Sequence, residues 1–225
     1  MNATSLALFD LDGTLIDSEI GIVASIEYAL AKLGVASPSR EELRAWIGPP
    51  LRAMFPRVLG DDVERVERAV ALYRERFGEI GWREHVVYPG IAEVIQTLAE
   101  QGVQLAVVTS KPDLYAGKIV ASLPFGARFE RVYAVGANSG HSEKASLIAR
   151  ALDEFGIAAD DAAMIGDRHF DIEGALANRV HAVGVLWGFG GREELAAAGA
   201  HAIADAPEQL PAMLAGRVVT AARIP

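Results

Sequence analysis

The chain contains no cysteine, which excludes disulfides, thiolate-bound zinc and a cysteine nucleophile. That composition is compatible with a reducing cytoplasm, the location expected for this chain. Basic residues are in deficit. Lys and Arg total 21 against 30 Asp and Glu, a formal net charge of −9, which argues against a nucleic-acid polymer as the main partner. A small phosphorylated metabolite remains compatible, because local cations or a metal reverse the sign at one site. A long apolar run is also missing from the first residues. The run Leu6 to Phe9 is broken at Asp10 and Asp12, so neither a signal peptide nor a membrane span is expected there. No internal repeat is evident. What is abundant is apolar side chain: 51% of 225 residues, enough for a packed interior.

The order of elements points to an α/β fold. Residues 5–9 read as an apolar strand. Ile16, Ile20, Val23, Ile26, Leu30 and Leu33 then recur at helical steps, and Gly34 supplies a stop. Ser39 with Glu42 forms a capping box for a second helix. Gly48, Pro49 and Pro50 break the chain. Val63, Val66, Val70, Tyr73 and Phe77 mark another amphipathic helix. From Tyr88 onward, strands at 103–108, 131–135, 162–165, 181–186 and 201–204 alternate with helices, including 91–101, 112–122, 143–155 and 171–178, before a terminal helix. This alternation predicts a Rossmann-like parallel sheet covered on both faces. The helical run interrupts it after the first strand. The expected organisation is an α/β core of residues 1–15 and 88–225 and an inserted α-helical cap of residues 16–87. Leu15 to Ser18 and Val87 to Gly90 are read as the hinge.

Open parallel sheets bind ligands beyond the carboxyl ends of their strands. Asp10 and Asp12 follow the first strand, Thr109, Ser110 and Lys111 the second, and Asp167 and Asp171 the fourth; Lys144 starts a helix after the third. Paired carboxylates at a buried strand end call for a compensating cation, and oxygen donors suit Mg²⁺. Such a set can transfer a phosphoryl group. Asp10 attacks phosphorus and becomes an aspartyl-phosphate, while Asp12 protonates the leaving oxygen and then deprotonates water. A hydroxyl and an ammonium bind the equatorial oxygens. Asp167 and Asp171 complete the metal site.

Asp10-Leu11-Asp12-Gly13-Thr14-Leu15, Val108-Thr109-Ser110, Lys144 and Gly166-Asp167-Arg168-His169-Phe170-Asp171 resemble, in order, the four motifs of the haloacid dehalogenase superfamily. The likeness runs from Leu6 to about Leu214 and is to phosphoglycolate phosphatase-like and 5′-nucleotidase-like members with a helical cap. It implies a Mg²⁺-dependent phosphatase acting on a small phosphomonoester, of the phosphoglycolate or nucleoside monophosphate type. It implies Asp10, Asp12, Thr109 and Lys144 as catalytic residues and Asp10, Asp12, Asp167 and Asp171 as the metal site, with Asp12 contributing its backbone carbonyl. Gly13, Thr109, Ser110 and Lys111 fall to substrate binding. Ile47-Gly48-Pro49-Pro50-Leu51 resembles a cap loop that reaches the substrate, adding Gly48, Pro49 and Arg52. Gly184 to Gly190 resembles a second subgroup stretch. The segment His141 to Ala145 departs from the pattern: many relatives have Lys-Pro there, and an arginine shortly before the lysine. Lys111 therefore competes with Lys144 for the phosphate-binding role.

Other features read as structural. His85, His141, His169, His181 and His201 show no metal-ligand spacing. Trp46, Trp82 and Trp187 suit packing or the cap interface. Arg168 contacts substrate or covers its loop, and the glycines from Gly188 to Gly191 help close a rim. Two alternatives on the same scaffold are a phosphotransferase or mutase acting on a sugar phosphate and a catalytically silent binding module. A dehalogenase is disfavoured by Asp12, since that chemistry has no leaving oxygen to protonate.

Overall fold

The computed structural model describes residues 4–136 and 143–215. The first strand, β1 (Leu6–Phe9), is fully buried. It has a neighbour on each edge and cover on both faces, which is why four successive apolar residues form it. After it come β2 (Ile16–Asp17), five helices α1 (Glu19–Lys32), α2 (Arg40–Arg44), α3 (Leu51–Met54), α4 (Pro56–Leu59) and α5 (Val63–Glu79), and β3 (Val86–Val87). The chain then alternates: α6 (Ile91–Glu100), β4 (Gln104–Pro112), α7 (Asp113–Ser122), β5 (Arg131–Val135), α8 (Glu143–Phe155), β6 (Ala162–Gly166), α9 (His169–Ala177), β7 (His181–Val185), α10 (Arg192–Ala197), β8 (Ala202–Ala204) and α11 (Leu210–Ala215).

The expected parallel sheet is present. Six strands run in the order β5-β4-β1-β6-β7-β8, every pairing parallel. The order reverses direction about β1, so the crevice at such a switch point opens beyond Phe9. Side chains alternate across the sheet. Ala7 and Phe9 join Val107, Ile165 and residues of α6, α7 and α11 on one face. Leu6 and Leu8 join Val108, Met164 and residues of α8 and α9 on the other.

The helices between β2 and β3 enclose an apolar cluster of their own, centred on Ile26, Leu30, Leu43, Phe55 and Val70. The capping box of α2 is formed: Glu42 N donates to Ser39 Oγ at 3.3 Å, and Ser39 N to Glu42 Oε2 at 2.9 Å. Gly21 lets α1 approach the turn at 81–83, since a Cβ there would stand 2.2 Å from Gly81 O. At the base of this insert, Ile16 and Asp17 pair antiparallel with Val87 and Val86, and Tyr88 N donates to Leu15 O at 3.2 Å.

Three local expectations shift. The periodicity that starts at Ile16 runs through the short strand, and α1 begins only at Glu19, where Asp17 Oδ1 accepts from Glu19 N at 2.9 Å. Ile20 and Val63, counted on apolar faces, are 50% and 73% exposed. β4 runs on to Pro112, with a register shift between Thr109 and Pro112.

Candidate active site

Asp10 leaves β1 with its amide donating to Ile165 O at 2.9 Å. The chain then closes on itself: the amides of Thr14, Leu15 and Ile16 all donate to Leu11 O. Gly13 sits at φ +83°, and a Cβ on it would stand 2.2 Å from Asp167 Oδ2. Glycine is required there by backbone conformation and by space together. From the other side the segment after β7 presses on the same aspartate. A Cβ on Gly188 would lie 2.4 Å from Asp167 Cβ, and Phe189 N donates to Asp167 Oδ2 at 2.7 Å. Trp187 Nε1 donates to Thr14 O at 3.0 Å. The glycine-rich stretch thus encloses Asp167.

Asp10, Asp167 and Asp171 each bring one oxygen within 4.8 Å of the others. Lys144 is the ammonium among them. Its Nζ donates to Asp10 Oδ1 at 2.9 Å and Val108 O at 3.0 Å, and lies 2.7 Å from Asp171 Oδ1. Burial pushes the Asp10 carboxyl up to about 6, opposed by Lys144 and reinforced by Asp171. Asp167 is fully buried, and burial, with the charges of Asp171 and Asp10, holds its carboxyl well above the usual range. Burial works against the charge of Lys144, but Asp10 and Asp171 outweigh it and hold the ammonium above the ordinary lysine value. Asp167 Oδ1 is buried with no hydrogen-bond partner. Three crowded carboxylates, one ammonium and an orphaned oxygen fit a hard divalent cation. His85, His169, His181 and His201 stand outside this cluster; His141 lies outside the described residues.

The Asp12 side chain turns elsewhere. Lys111 Nζ donates to both its oxygens, at 2.9 and 2.8 Å, and lies 4.8 Å from the centre of the Phe77 ring. The two candidate lysines therefore divide: Lys144 sits at Asp10 and Lys111 at Asp12. Any metal contact from Asp12 falls to its backbone. Thr109 is buried, and its Oγ1 accepts from Lys111 N at 3.2 Å.

Asp10, Asp12, Thr109, Lys111, Lys144 and Asp171 form the floor of a cavity of about 340 Å³ between the sheet edge and the insert. Ser110 lines it, as do Gly48, Pro49, Pro50 and Arg52 of the insert. Arg52 is bound to Glu67 through two hydrogen bonds, 2.5 and 2.9 Å, both side chains about half exposed. The insert's wall is largely apolar and carries three rings: Trp46, Tyr73 and Phe77 face the cavity, with Tyr115, Phe170 and Phe189 from the core. Tyr73 and Phe77 stack, ring centres 5.4 Å apart. The sequence marked Tyr73 and Phe77 as helix-face residues. Their spacing is that of any buried stripe and does not distinguish a cavity wall from a core.

Two arginine contacts were not legible in the sequence. Arg44 Nη2 donates to Gly188 O at 3.0 Å. Arg168 Nη1 donates to Ile47 O at 2.5 Å. Both cross between insert and core.

Residues 7–185 match the haloacid dehalogenase-like hydrolase family. Over 190 residues the chain is 42% identical to a 5′-nucleotidase from Pseudomonas aeruginosa, covering 84% of this chain and 86% of that protein. Over 185 residues it is 34% identical to the tyrosine-protein kinase PtkA of Mycobacterium tuberculosis, covering 82% of this chain but 63% of PtkA. A haloacid dehalogenase-like family hydrolase from Streptococcus pneumoniae superposes with a TM-score of 0.88 at 31% identity, covering 94% of this chain and 99% of that one.

Proposed function

The chain belongs to the haloacid dehalogenase-like hydrolases and is a phosphoric monoester hydrolase, and from that membership we propose that it cleaves a nucleoside monophosphate-type ester through an aspartyl-phosphate on Asp10. In this reading residues 16–87 act as the cap and residues 1–15 and 88–225 as the catalytic core. The observation that carries it is the convergence of Asp10, Asp167 and Asp171, two of them paired with Lys144, at the sheet's switch point.

Asp10, Asp167, Asp171 and the Asp12 carbonyl would hold Mg²⁺, which when bound screens the charge shared by nucleophile and phosphoryl oxygens. Lys144 engages Asp10 Oδ1, and Oδ2 is assigned the attack on phosphorus. Thr109 and Ser110 hydroxyls bind phosphoryl oxygens beside Lys144. Asp12, oriented through both oxygens by Lys111, delivers a proton to the leaving alcohol. It then takes one from the water that attacks the phosphoryl-aspartate.

The cavity favours the nucleoside type over phosphoglycolate. The carboxylate that phosphoglycolate carries besides its phosphate needs a cation to receive it, and each lining cation already has a partner: Lys144, Lys111, Arg52, Arg74 and Arg168. The aromatic wall suits a flat, uncharged ring instead. Cysteine-free composition is compatible with the cytoplasmic setting included in this reading.

Phosphate release measured with Mg²⁺ tests this. The expected kcat/KM is at least about 10-fold higher for a nucleoside 5′-monophosphate than for phosphoglycolate, and Asp10→Asn removes about 10³-fold or more of the turnover with both. Wild-type turnover by Asp10→Asn overturns the nucleophile assignment. The kinase name of one relative supports a second reading, transfer to an acceptor hydroxyl. Labelled phosphate appearing on an added alcohol or tyrosine peptide, rather than as free phosphate, selects it.

A further inference from the structure

Arg168 lies between the buried Asp167 and the start of α9, yet its side chain leaves the carboxylate cluster. Its Nη1 donates to Ile47 O at 2.5 Å and its Nε to Glu194 Oε1 at 2.8 Å. Only 15% of the side chain is exposed. The main chain of the insert presses against it: Gly48 adopts φ +107°, and a Cβ there would stand 3.1 Å from Arg168 Nη1.

Glu194, on α10 of the core, is itself fixed. Its Oε1 also accepts from His169 N at 2.9 Å and lies 2.8 Å from His169 Nδ1. Burial opposes its charge, but the hydrogen bonds from Arg168 and His169 hold its carboxyl below the usual value. A charged, multiply bonded acceptor fixes the plane of a guanidinium, and that plane determines where the second donor points. The geometry therefore forms a relay: α10 to Glu194, Glu194 to Arg168, Arg168 to the Ile47 carbonyl, and on to the 47–50 segment that lines the cavity.

The other joins between insert and core lie away from residues 47–50: the strand pair Ile16–Asp17 with Val86–Val87, and Phe77 against Tyr115 and Lys111. Arg44 is the second arginine to cross from insert to core, donating to Gly188 O and lying 5.2 Å from the Phe189 ring. Both crossings end on residues that adjoin Asp167 in sequence or in space.

We propose that Arg168, aimed by Glu194, is a positioning residue that seats the 47–50 segment over the substrate cavity. This inference rests on the reading of the cavity as the substrate site. Residues 47–50 would grip the alcohol portion of the ester, which is bound alike before and during phosphoryl transfer. Loss of Arg168 therefore weakens binding rather than chemistry.

The test is kinetic and spectroscopic, on the full chain with Mg²⁺ and a nucleoside 5′-monophosphate. Arg168→Met is expected to raise KM about 10-fold while kcat changes less than about threefold. Arg168→Lys restores part of the KM, since an ammonium lacks the fork that reaches Glu194 and Ile47 together. Glu194→Gln keeps an acceptor oxygen without the charge and falls between wild type and Arg168→Met. A second readout needs no turnover. Trp46 adjoins Ile47 and is 4% exposed. Its acrylamide quenching, taken as the difference between each protein and its Trp46→Phe counterpart, should rise in Arg168→Met. Unchanged KM, a loss confined to kcat, or unchanged Trp46 quenching overturns the proposal. Should wild type hydrolyse no phosphomonoester, the functional reading fails while the quenching still decides the relay.

Discussion

The two walls of the cavity are made of different materials. The core wall is charged: Asp10, Asp171 and Lys144 line it with Asp167 buried beside them, each 9% exposed or less, and they are locked by backbone amides, a carbonyl and one another. The insert wall is mostly apolar, and it meets the core through the short pairing of Ile16–Asp17 with Val86–Val87, two arginine contacts and ring contacts such as Phe77 on Tyr115. Fixed charge is what a phosphoryl-transfer transition state needs, because preorganised groups do not have to reorient as charge develops. An apolar surface suits recognition of the part of the substrate that does not react. Under the proposed function, rate belongs to one wall and choice to the other.

The largest expected effect comes from breaking the charged wall. Lys144→Met removes the ammonium shared by Asp10 and Asp171. It should lower kcat by about 10²–10³-fold, by the same factor for a nucleoside 5′-monophosphate and for phosphoglycolate. Steady-state kinetics on both substrates checks this. A loss seen with one substrate alone would move Lys144 into the recognition machinery and erase the contrast between the walls.

A smaller effect is expected from the other wall. Tyr73→Leu keeps apolar bulk but removes the ring stacked on Phe77. It should lower kcat/KM for the nucleoside ester about 10-fold while leaving phosphoglycolate within about twofold. Equal losses on both substrates would mean that the insert wall also serves the chemical step.

The two walls were also unequally legible in the sequence. The core could be read because its signals are local: an apolar strand followed by Asp10 and Asp12, another followed by Thr109, a third by Asp167. Strand alternation placed all of them at one sheet edge. The partition of the two lysines was not readable. Lys111 and Lys144 both follow strands, and only the fold shows Lys144 reaching Asp10 across 134 positions and Lys111 reaching Asp12 across 99. The insert was read as helices, capping box included, but Tyr73 could not be told from a core residue. Arg168 was left between two roles, substrate contact or loop cover. Its bond to Ile47 O spans 121 positions and ends on a backbone carbonyl, a partner that carries no side-chain signal.

The smallest effect is on stability, and its sign distinguishes a metal-binding charged wall from a merely structural one. The carboxyls of Asp10 and Asp167 are held above their ordinary value near 3.8, Asp10 up to about 6. A carboxyl raised by folding binds its proton more tightly in the folded chain. Its contribution favours the fold in full at pH below 3.8 and is lost as pH climbs from there through the folded value. For these two groups, then, the metal-free protein should lose stability between about pH 4 and the raised values. Mg²⁺ bound to the ionised carboxylates should return more of it at pH 8 than at pH 5. Asp167→Asn keeps an oxygen to accept from Phe189 N and removes one of the crowded charges. Calorimetry should show the metal-free variant melting about 2–4 °C above wild type at pH 8, equivalent to about 1 kcal/mol. It should respond little to Mg²⁺, and the gap between variant and wild type should narrow at pH 5. A Mg²⁺ effect of equal size at both pH values, or undiminished in Asp167→Asn, would show that the ion binds outside this cluster. The charged wall would then be held by Lys144 alone.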